Sequence, residues 1–496
     1  MSESRIKIPR PVPRADRVDP LEQPASTSPR LRGRMGTVAL VLTVMAYLAP
    51  LTAAAGYLPL VIGYGNGLGA PVTFLLLGAL FALFAVGFLA LVRHIPKPGA
   101  FYAYISEGLG KRIGLGAGAL TLVFYFFAMV STYIFAGVQI QAMVQRDFGV
   151  DLQWWVWSAV ICVFVGACSY RAIDFSARLV GIVVCIEVAV ILIFDVATLA
   201  KGGAEGISAE PFTWTSISSG SIAVAVLFSV GILGGFESTA IYRDEVRDPD
   251  RTIPRATYAV IAILTIFSSV ATYCIIIALG PSNAVAMASE DPSGTFTGVT
   301  QTMVGSFFTQ VVSVVLITSI LACLLSVTNV ATRYIHSFSV DGVFPEKLGS
   351  VHPRHGSPHK ASLATNAVVF ASIVVFAVSE IDPQVAYGVL GGVGNFAFQT
   401  LIILVSIAVI FYFRRTPGTG QSAWRVVVAP ALSAILFVGL IVNGATHVEL
   451  LLGEPTPLTT IGFAVLIVSF VGGLGYASFL AVRRPNSYAR LGRSKG

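Results

Sequence analysis

Charged residues are scarce in this sequence: Asp, Glu, Lys and Arg make up 11% of its 496 residues, against about 25% in soluble domains. Hydrophobic residues make up 55%. So few charges cannot cover the surface of a soluble globular protein, and the composition excludes that class. The net charge of +7 comes without a base-reading motif, which excludes a nucleic-acid-binding protein. These features indicate a chain that spans a lipid bilayer many times.

Cysteine is also rare, and none of the five cysteines has a partner at CxxC spacing. All five lie inside apolar runs, where we expect small packing residues and not disulfides or metal ligands. They are Cys162, Cys168, Cys185, Cys274 and Cys323. We therefore expect no cofactor and no metal. Histidine is absent from the core of every apolar run, and the acids there lack a GxGD-type context, so we expect no enzyme activity.

Twelve apolar runs are present, and each exceeds or approaches the roughly 20 residues that cross a bilayer. With the N-terminus in the cytoplasm, 30 of the 32 Lys and Arg fall on the cytoplasmic side, and only Arg146 and Lys201 fall outside. Because Lys and Arg in short loops stay cytoplasmic, this distribution predicts twelve membrane helices, a place in the cell membrane and cytoplasmic termini. The spans are 37–63, 70–94, 113–143, 154–171, 176–200, 219–241, 255–280, 302–333, 361–379, 384–413, 424–444 and 457–482.

Two spans are interrupted near the midplane, and they lie five spans apart. Span 1 contains Pro50, a run of small residues and Pro59, while span 6 has three glycines within residues 231–235. Proline removes a backbone donor, and paired broken helices in corresponding positions are typical of inverted-repeat transporters. We therefore predict an all-α polytopic membrane protein with a 5+5 inverted repeat, in which helices 1 and 6 are broken, plus two peripheral helices.

The predicted domains follow from this division. Residues 1–36 are rich in proline and basic residues and poor in apolar ones, which predicts a disordered basic cytoplasmic tail. The transporter domain covers 37–482, and a second cytoplasmic tail covers 483–496. Within the transporter domain the predicted units are repeat one at about 37–200, repeat two at about 219–413 and the peripheral helices at about 424–482.

Several motifs resemble the amino acid–polyamine–organocation (APC) superfamily of secondary transporters. Span 6 and its following loop read Gly-Gly-Phe-Glu-Ser at 234–238 and Glu-Val-Arg-Asp-Pro-Asp-Arg-Thr-Ile-Pro-Arg-Ala at 245–256. Similar agreement occurs at 98–104 (Pro-Gly-Ala-Phe-Tyr-Ala-Tyr), 328–333 (Thr-Asn-Val-Ala-Thr-Arg) and 341–345 (Asp-Gly-Val-Phe-Pro). The resemblance covers roughly residues 37–482. It implies a permease that moves an amino acid across the membrane by alternating access.

A broken helix exposes amide donors at the start of its second half and carbonyl acceptors at the end of its first half. These ends carry partial positive and negative charge, so a zwitterionic amino acid matches both. We expect its carboxylate on the amides around 53–56 and its ammonium on carbonyls near the two breaks. The candidate substrate-binding residues are Ala49, Pro50, Thr52, Ala53, Ala54, Ala55, Gly56, Tyr133, Phe228, Gly231, Ile232, Gly234 and Gly235.

Two departures from the APC pattern bear on the pocket. Relatives commonly carry a Gly-Ser-Gly-like run at the first break, and its counterpart here is the Thr-Ala-Ala of residues 52–54. Many relatives also place an aromatic gate on span 6, where the matching position here is Gly231, one turn after Phe228. Either the pocket admits a larger substrate side chain, or another aromatic such as Tyr133 closes it.

Three acids lie in or near the bilayer, where a charge costs about 3 kcal/mol or more at the centre. Glu187 lies near the middle of span 5, where the resemblance implies a lysine in some proton-coupled relatives. Glu237 is the acid of the Gly-Phe-Glu motif. We predict that both acids take part in proton coupling. The alternative for Glu187 is a protonated carboxyl that donates to a span 1 carbonyl and never titrates. The alternative for Glu237 is a carboxylate that caps free amides of span 6. Asp195 is expected at the membrane interface.

The predicted function is amino acid transport with proton symport, with the lipid bilayer and a small molecule as the partners. Three alternatives stay open. A polyamine or other organic cation would use Glu187 and Glu237 as ligands. Sodium would replace the proton if hydroxyls on span 8 (Ser319, Ser326 and Thr328) joined span 1 carbonyls around the ion. An amino acid exchanger would use the same fold.

Overall fold

The computed structural model describes residues 35–95, 100–171, 177–353, 357–446 and 457–491. Residues 1–34 of the predicted tail at 1–36, Pro98 and Gly99 of one motif, and the last five residues of the predicted tail at 483–496 lie outside the described residues. Within the described ranges the chain forms helices and turns, with one isolated β-bridge between Met35 and Val246. The all-α class predicted from the sequence is confirmed.

Twelve helical spans correspond one to one to the twelve apolar runs. Eleven are long and apolar enough to cross a membrane, and α4 is a shorter apolar helix. In chain order the helices are α1a (Thr37–Leu48), α1b (Pro50–Gly56), α2 (Ala70–His94), α3 (Lys111–Phe148), α4 (Trp154–Tyr170), α5 (Ala177–Lys201), α6a (Ile222–Leu233), the 3₁₀ helix α6b (Phe236–Glu245), α7 (Pro249–Leu279), α8 (Ser306–Val340), α9 (His359–Val378), α10 (Pro383–Arg415), α11 (Ala429–Thr446) and α12 (Pro457–Arg483).

Shorter helical elements connect these spans. After α1b the chain continues through Leu58–Leu60 and the π-helical turn Val61–Asn66 before α2. The helix Ala100–Leu109 lies between α2 and α3, and Ala284–Glu290 and Thr295–Met303 lie between α7 and α8. A second π-helical turn, Trp424–Val428, leads directly into α11.

Burial separates central from peripheral helices. In the most apolar stretch of the first span (Thr37–Gly56) 72% of residues are buried, and in the sixth span (Ile222–Ala240) 83% are buried. The corresponding fractions are 28% in Trp424–Thr446 and 17% in Pro457–Arg483. All four segments are strongly apolar, so the difference in buried fraction reflects their position in the bundle and not their composition. The broken helices 1 and 6 lie at the centre of the bundle, and α11 and α12 lie at its edge.

The first helix breaks at Ala49. This residue has φ 47° and ψ 75°, the left-handed conformation that a non-glycine residue rarely adopts. Pro50 follows as the first residue of α1b. Proline has no amide to continue the helix and disfavours the α conformation in the residue before it. The interruption is therefore fixed at the first of the two prolines, while Pro59 lies within the helical turn Leu58–Leu60.

The sixth helix breaks at two consecutive glycines. Gly234 is extended, with φ −66° and ψ 136°, and Gly235 has φ 119° and ψ −14°. A residue with a side chain is strained at the second set of angles, so the position requires glycine. Beyond the break the chain resumes as the tighter 3₁₀ helix α6b. Both breaks predicted from the sequence are thus present.

The Lys and Arg residues define the two faces of the bundle. Since successive spans alternate in direction, the ends that carry most Lys and Arg share one face, which we call the basic face. Among the described residues only Arg146 and Lys201 lie on the opposite face. At the basic face the Met35 amide donates to the Glu245 carbonyl at 3.0 Å, and the Arg247 amide donates to the Met35 carbonyl at 3.2 Å. This bridge ties the start of α1a to the end of α6b.

Candidate substrate and coupling site

The two helix breaks meet in the centre of the bundle. A Cβ atom on Gly235 would lie 2.5 Å from Leu48 Cδ2 and 2.7 Å from Tyr47 Cε1. A side chain at Gly235 would force the Leu48 and Tyr47 side chains to shift, in addition to the strain of its backbone angles. The last turn of α1a therefore packs directly on the break of helix 6, and the released backbone groups of the two helices share one region.

Glu187 of α5 binds the start of α1b. Its Oε2 accepts a hydrogen bond from the Leu51 amide at 3.2 Å, and the side chain is 1% exposed. The first amides of a helix lack intrahelical acceptors and carry partial positive charge, so a carboxylate stabilises this end. The partner of Glu187 on the first span is thus an amide, whereas the alternative raised from the sequence was a carbonyl.

A hydroxyl pair joins the same helix end to α8. Thr52 Oγ1 and Ser319 Oγ lie 2.8 Å apart, and both residues are buried. Ser319 also contacts the Glu187 side chain. Three helices, α1b, α5 and α8, are therefore linked through one cluster of polar groups, which we call the Glu187 cluster (Leu51, Thr52, Glu187 and Ser319).

The segment that follows the first break is helical and buried. The Ala53 amide donates to the Ala49 carbonyl at 3.0 Å, which commits it to the helix. Pro50 has no amide, and the Leu51 amide is bound to Glu187. The Thr52 amide is the next donor after that of Leu51 at this helix end. This donor lies at the beginning of α1b, before the residues 53–56 on which the sequence analysis placed the carboxylate. Residues 53–56 themselves, Ala53, Ala54, Ala55 and Gly56, are buried in the structure.

Glu237 lies at the other break. Its Oε2 accepts a hydrogen bond from the Gly235 amide at 2.8 Å, and the side chain is 5% exposed. Tyr47, Tyr125 and Tyr334 lie within electrostatic range of the carboxylate. This acid thus occupies a buried position at the break of helix 6, where it holds the Gly235 amide and lies within electrostatic range of three tyrosines.

Gly231 faces helix 10 and the second half of the first span. A Cβ atom on Gly231 would lie 2.9 Å from Asn395 Nδ2 and 3.5 Å from Tyr57 Cε1. Asn395 Nδ2 donates to the Leu227 carbonyl at 2.8 Å, which fixes the amide in place. An aromatic gate at Gly231 therefore has no room, and Tyr57 with Asn395 fills the space beside it.

Sequence analysis missed both of these neighbours. Asn395 carried a usable signal, because a carboxamide inside an apolar span is costly unless it has a role. Tyr57 carried none, since aromatic residues are common in membrane helices. The expectation that places Tyr133 near the pocket stays a prediction: Tyr133 and Phe228 are fully buried, and Ile232 is 2% exposed.

The region between the breaks and the opposite face is closed by aromatic rings. A Cβ atom on Gly56 would lie 3.4 Å from the Phe135 ring, and Phe135 packs on Tyr387 with ring centroids 5.4 Å apart. Ser131 Oγ donates to the Tyr387 carbonyl at 2.7 Å. Residues 49–56 are all buried, so the first break is shut off from solvent, while Gly234 at the second break is half-buried.

Asp195 lies within the bundle. The residue is 3% exposed, and neither of its carboxylate oxygens has a hydrogen-bond partner among the described residues. The expectation that Asp195 lies at the depth of the membrane interface stays a prediction. In the described part of the chain, no group of three or more His, Cys, Asp or Glu residues could hold a metal ion.

Comparison with known proteins places this arrangement in a family. The family model for amino acid permeases matches residues 45–479. The low-affinity putrescine importer PlaP of Escherichia coli is 25% identical over 402 residues, covering 79% of this chain and 83% of the importer. The branched-chain amino acid permease BcaP of Lactococcus lactis subsp. cremoris is 24% identical over 395 residues, covering 73% and 79%. The gamma-aminobutyric acid permease of Escherichia coli is 24% identical over 290 residues, covering 56% and 60%.

This chain belongs to the amino acid permease family, within the APC superfamily to which its motifs pointed. It is a multi-pass membrane transporter of small molecules and not an enzyme. The relatives act on chemically different substrates, since their names include a diamine and branched-chain amino acids. Family membership therefore leaves the substrate class to be argued from the site.

Proposed function

We propose that the protein imports an amino acid across the cytoplasmic membrane by alternating access with proton symport. The basic face lies in the cytoplasm, because Lys and Arg in short loops stay on that side, and both termini lie there as well. The substrate occupies the region between Ala49 and Gly235, where the two helix breaks meet.

One observation supports an amino acid as the substrate: both central carboxylates are already bound to backbone amides. Glu187 holds the Leu51 amide and Glu237 holds the Gly235 amide. A polyamine needs carboxylates that are free to pair with its ammonium groups, and burial of unpaired cations is expensive. A zwitterionic amino acid needs only the amide of Thr52 and carbonyls at the ends of α1a and α6a. This arrangement therefore favours an amino acid.

A second candidate is a polyamine, and one observation favours it. Tyr47, Tyr125 and Tyr334 lie around Glu237, and aromatic rings with a carboxylate attract ammonium groups. The similarity to a putrescine importer agrees with this alternative. An ammonium group would pair with the remaining acceptor sites of the Glu237 carboxylate, beside the Gly235 amide.

The coupling mechanism follows from competition at the start of α1b. A substrate carboxylate on the Thr52 amide lies beside Glu187, and two like charges at one helix end repel each other. Binding is most favourable when Glu187 carries a proton, so the substrate and the proton assist each other's binding. Neutral Glu187 also holds the helix end less firmly than the ionised carboxylate does. We infer that this weakening frees α1b to move during transport.

Thermal unfolding of the detergent-purified protein with candidate ligands tests the substrate class. A ligand that binds only the folded state raises its stability according to concentration over affinity. We expect stabilisation by one group of the twenty common amino acids. The matched control is the amine formed by removing the carboxyl group from the best ligand, which should not stabilise because it cannot reach the Thr52 amide. Stabilisation by putrescine or other amines, with none by amino acids, would refute the amino acid assignment.

A further inference from the structure

A cavity of about 330 Å³ opens on the basic face, away from the helix breaks. It lies between α2, the start of α7 and the π-helical turn before α11. Val86, Leu89 and Ala90 of α2 form one apolar wall. The proposed transport site does not use this cavity.

Two arginines line the cavity, and its described lining contains no carboxylate. Arg93 ends α2, and its guanidinium donates to the neutral carbonyl of Asp250 at 2.9 Å. Arg425 is exposed, and its side chain has no hydrogen-bond or ion-pair partner among the described residues. No acidic residue belongs to the described lining. Two positive charges thus converge on one space, which favours an anionic ligand.

Aromatic residues in the lining of the cavity indicate that it lies at the membrane–water boundary. Trp424 is 51% exposed and Tyr258 is 39% exposed, and both line the cavity. Exposed Trp and Tyr at the ends of membrane spans lie at the level of the lipid headgroups. The apolar wall from α2 continues from this level along the bundle, where acyl chains would lie.

We propose that this cavity binds the headgroup of an anionic phospholipid. The phosphodiester lies between Arg93 and Arg425, since a planar guanidinium donates two parallel hydrogen bonds to phosphate oxygens. The acyl chains follow the apolar wall of α2. Basic pockets between membrane helices recognise anionic headgroups in this manner, and a zwitterionic lipid would bring a second cation against the arginines.

The bound lipid acts on the ends of α6b and α7 that lie beside α2. Asp250 in the first turn of α7, whose carbonyl holds Arg93, pairs through its carboxylate with Arg243 of α6b at 3.3 Å. Arg243 in turn donates to the Val92 carbonyl of α2 at 2.9 Å. A headgroup that orders Arg93 therefore supports the contacts that α2 makes with α6b and α7.

The test measures thermal unfolding of the delipidated full-length protein in neutral detergent. The probes are phosphatidylglycerol, phosphatidylcholine and inorganic phosphate, applied to wild type, Arg425→Gln and Arg484→Gln. Arg484 is an exposed arginine at the end of α12 outside the cavity lining, so it controls for the loss of one charge. Native mass spectrometry of the same samples counts bound lipid directly and does not depend on the melting behaviour of a variant.

We expect phosphatidylglycerol to stabilise wild type and Arg484→Gln, and to bind Arg425→Gln about tenfold more weakly, the loss expected for roughly one charge-assisted hydrogen bond. Phosphatidylcholine and inorganic phosphate should have no comparable effect. Equal phosphatidylglycerol binding to wild type and Arg425→Gln would overturn the site. Stabilisation by inorganic phosphate equal to that by phosphatidylglycerol would overturn the assignment to a lipid.

Discussion

Replacing Glu187 by Gln removes one negative charge at the start of α1b and keeps the size of the side chain. The glutamine carbonyl can still accept from the Leu51 amide, which now lies 3.2 Å from Glu187 Oε2. A neutral acceptor contributes about 1 kcal/mol less than a charged one. The fold should therefore tolerate the change, while the site can no longer take up a proton.

The effect on transport is larger than the effect on stability. With one proton per substrate, a pH difference of one unit is worth about 1.4 kcal/mol and drives about tenfold accumulation. Glu187 is the carboxylate that binds the α1b end in the structure. We expect Glu187→Gln to bring the substrate to equal concentrations inside and outside the vesicle, a ratio of about one, without accumulating it.

Uptake of radiolabelled substrate into proteoliposomes, with and without an inward proton gradient, measures this ratio. The matched control is Asp195→Asn, a second neutralised buried acid on the same helix. The control should accumulate substrate as wild type does. If Glu187→Gln accumulates substrate about tenfold per pH unit, another group carries the proton and the reasoning about the α1b end is wrong.

Four further predictions follow from named contacts. Gly235→Ala should destabilise the protein by at least about 1–3 kcal/mol and abolish uptake, whereas Gly439→Ala, with open space at its Cβ position, should not alter the melting temperature. Thr52→Val should lower the melting temperature, because it removes the 2.8 Å hydrogen bond to the buried Ser319 hydroxyl, at a cost of about 0.5–1.5 kcal/mol. Asp195→Asn should not lower the melting temperature, since neither carboxylate oxygen has a partner among the described residues and the change removes a buried ionisable group. Cysteines at Met35 and Val246, in a chain without its native cysteines, should form a disulfide that blocks uptake until a reductant is added, because the bridge ties α1a to α6b.

The sequence was sufficient to predict the spans because hydropathy is a local property of each run. The break of helix 6 was predictable for the same kind of reason: Gly234 and Gly235 are adjacent, and one of them adopts φ 119°. The first break was located less well. Pro50 and Pro59 both interrupt a helix in principle, and only packing decides that Ala49 takes the left-handed conformation while Pro59 stays helical.

The partners of the site residues could not be predicted from one chain. The resemblance placed Glu187 opposite the first break, but only the fold shows that it meets the Leu51 amide. In the same way, the neighbours of Gly231 come from α1b and α10, which are far apart in sequence. Such contacts depend on how helices rotate about their axes, and apolar runs with weak amphipathic patterns do not specify this rotation.

Proton movement measured together with substrate entry tests the central claim most directly. Wild-type protein is reconstituted into vesicles that contain a pH-sensitive dye, with the membrane voltage clamped at zero by potassium and valinomycin. The amino acid found by thermal unfolding is then added outside. Our account predicts acidification of the vesicle interior with about one proton per substrate, as expected for one titrating carboxylate at the α1b end. Entry of labelled substrate without acidification would contradict proton symport and the role proposed for Glu187.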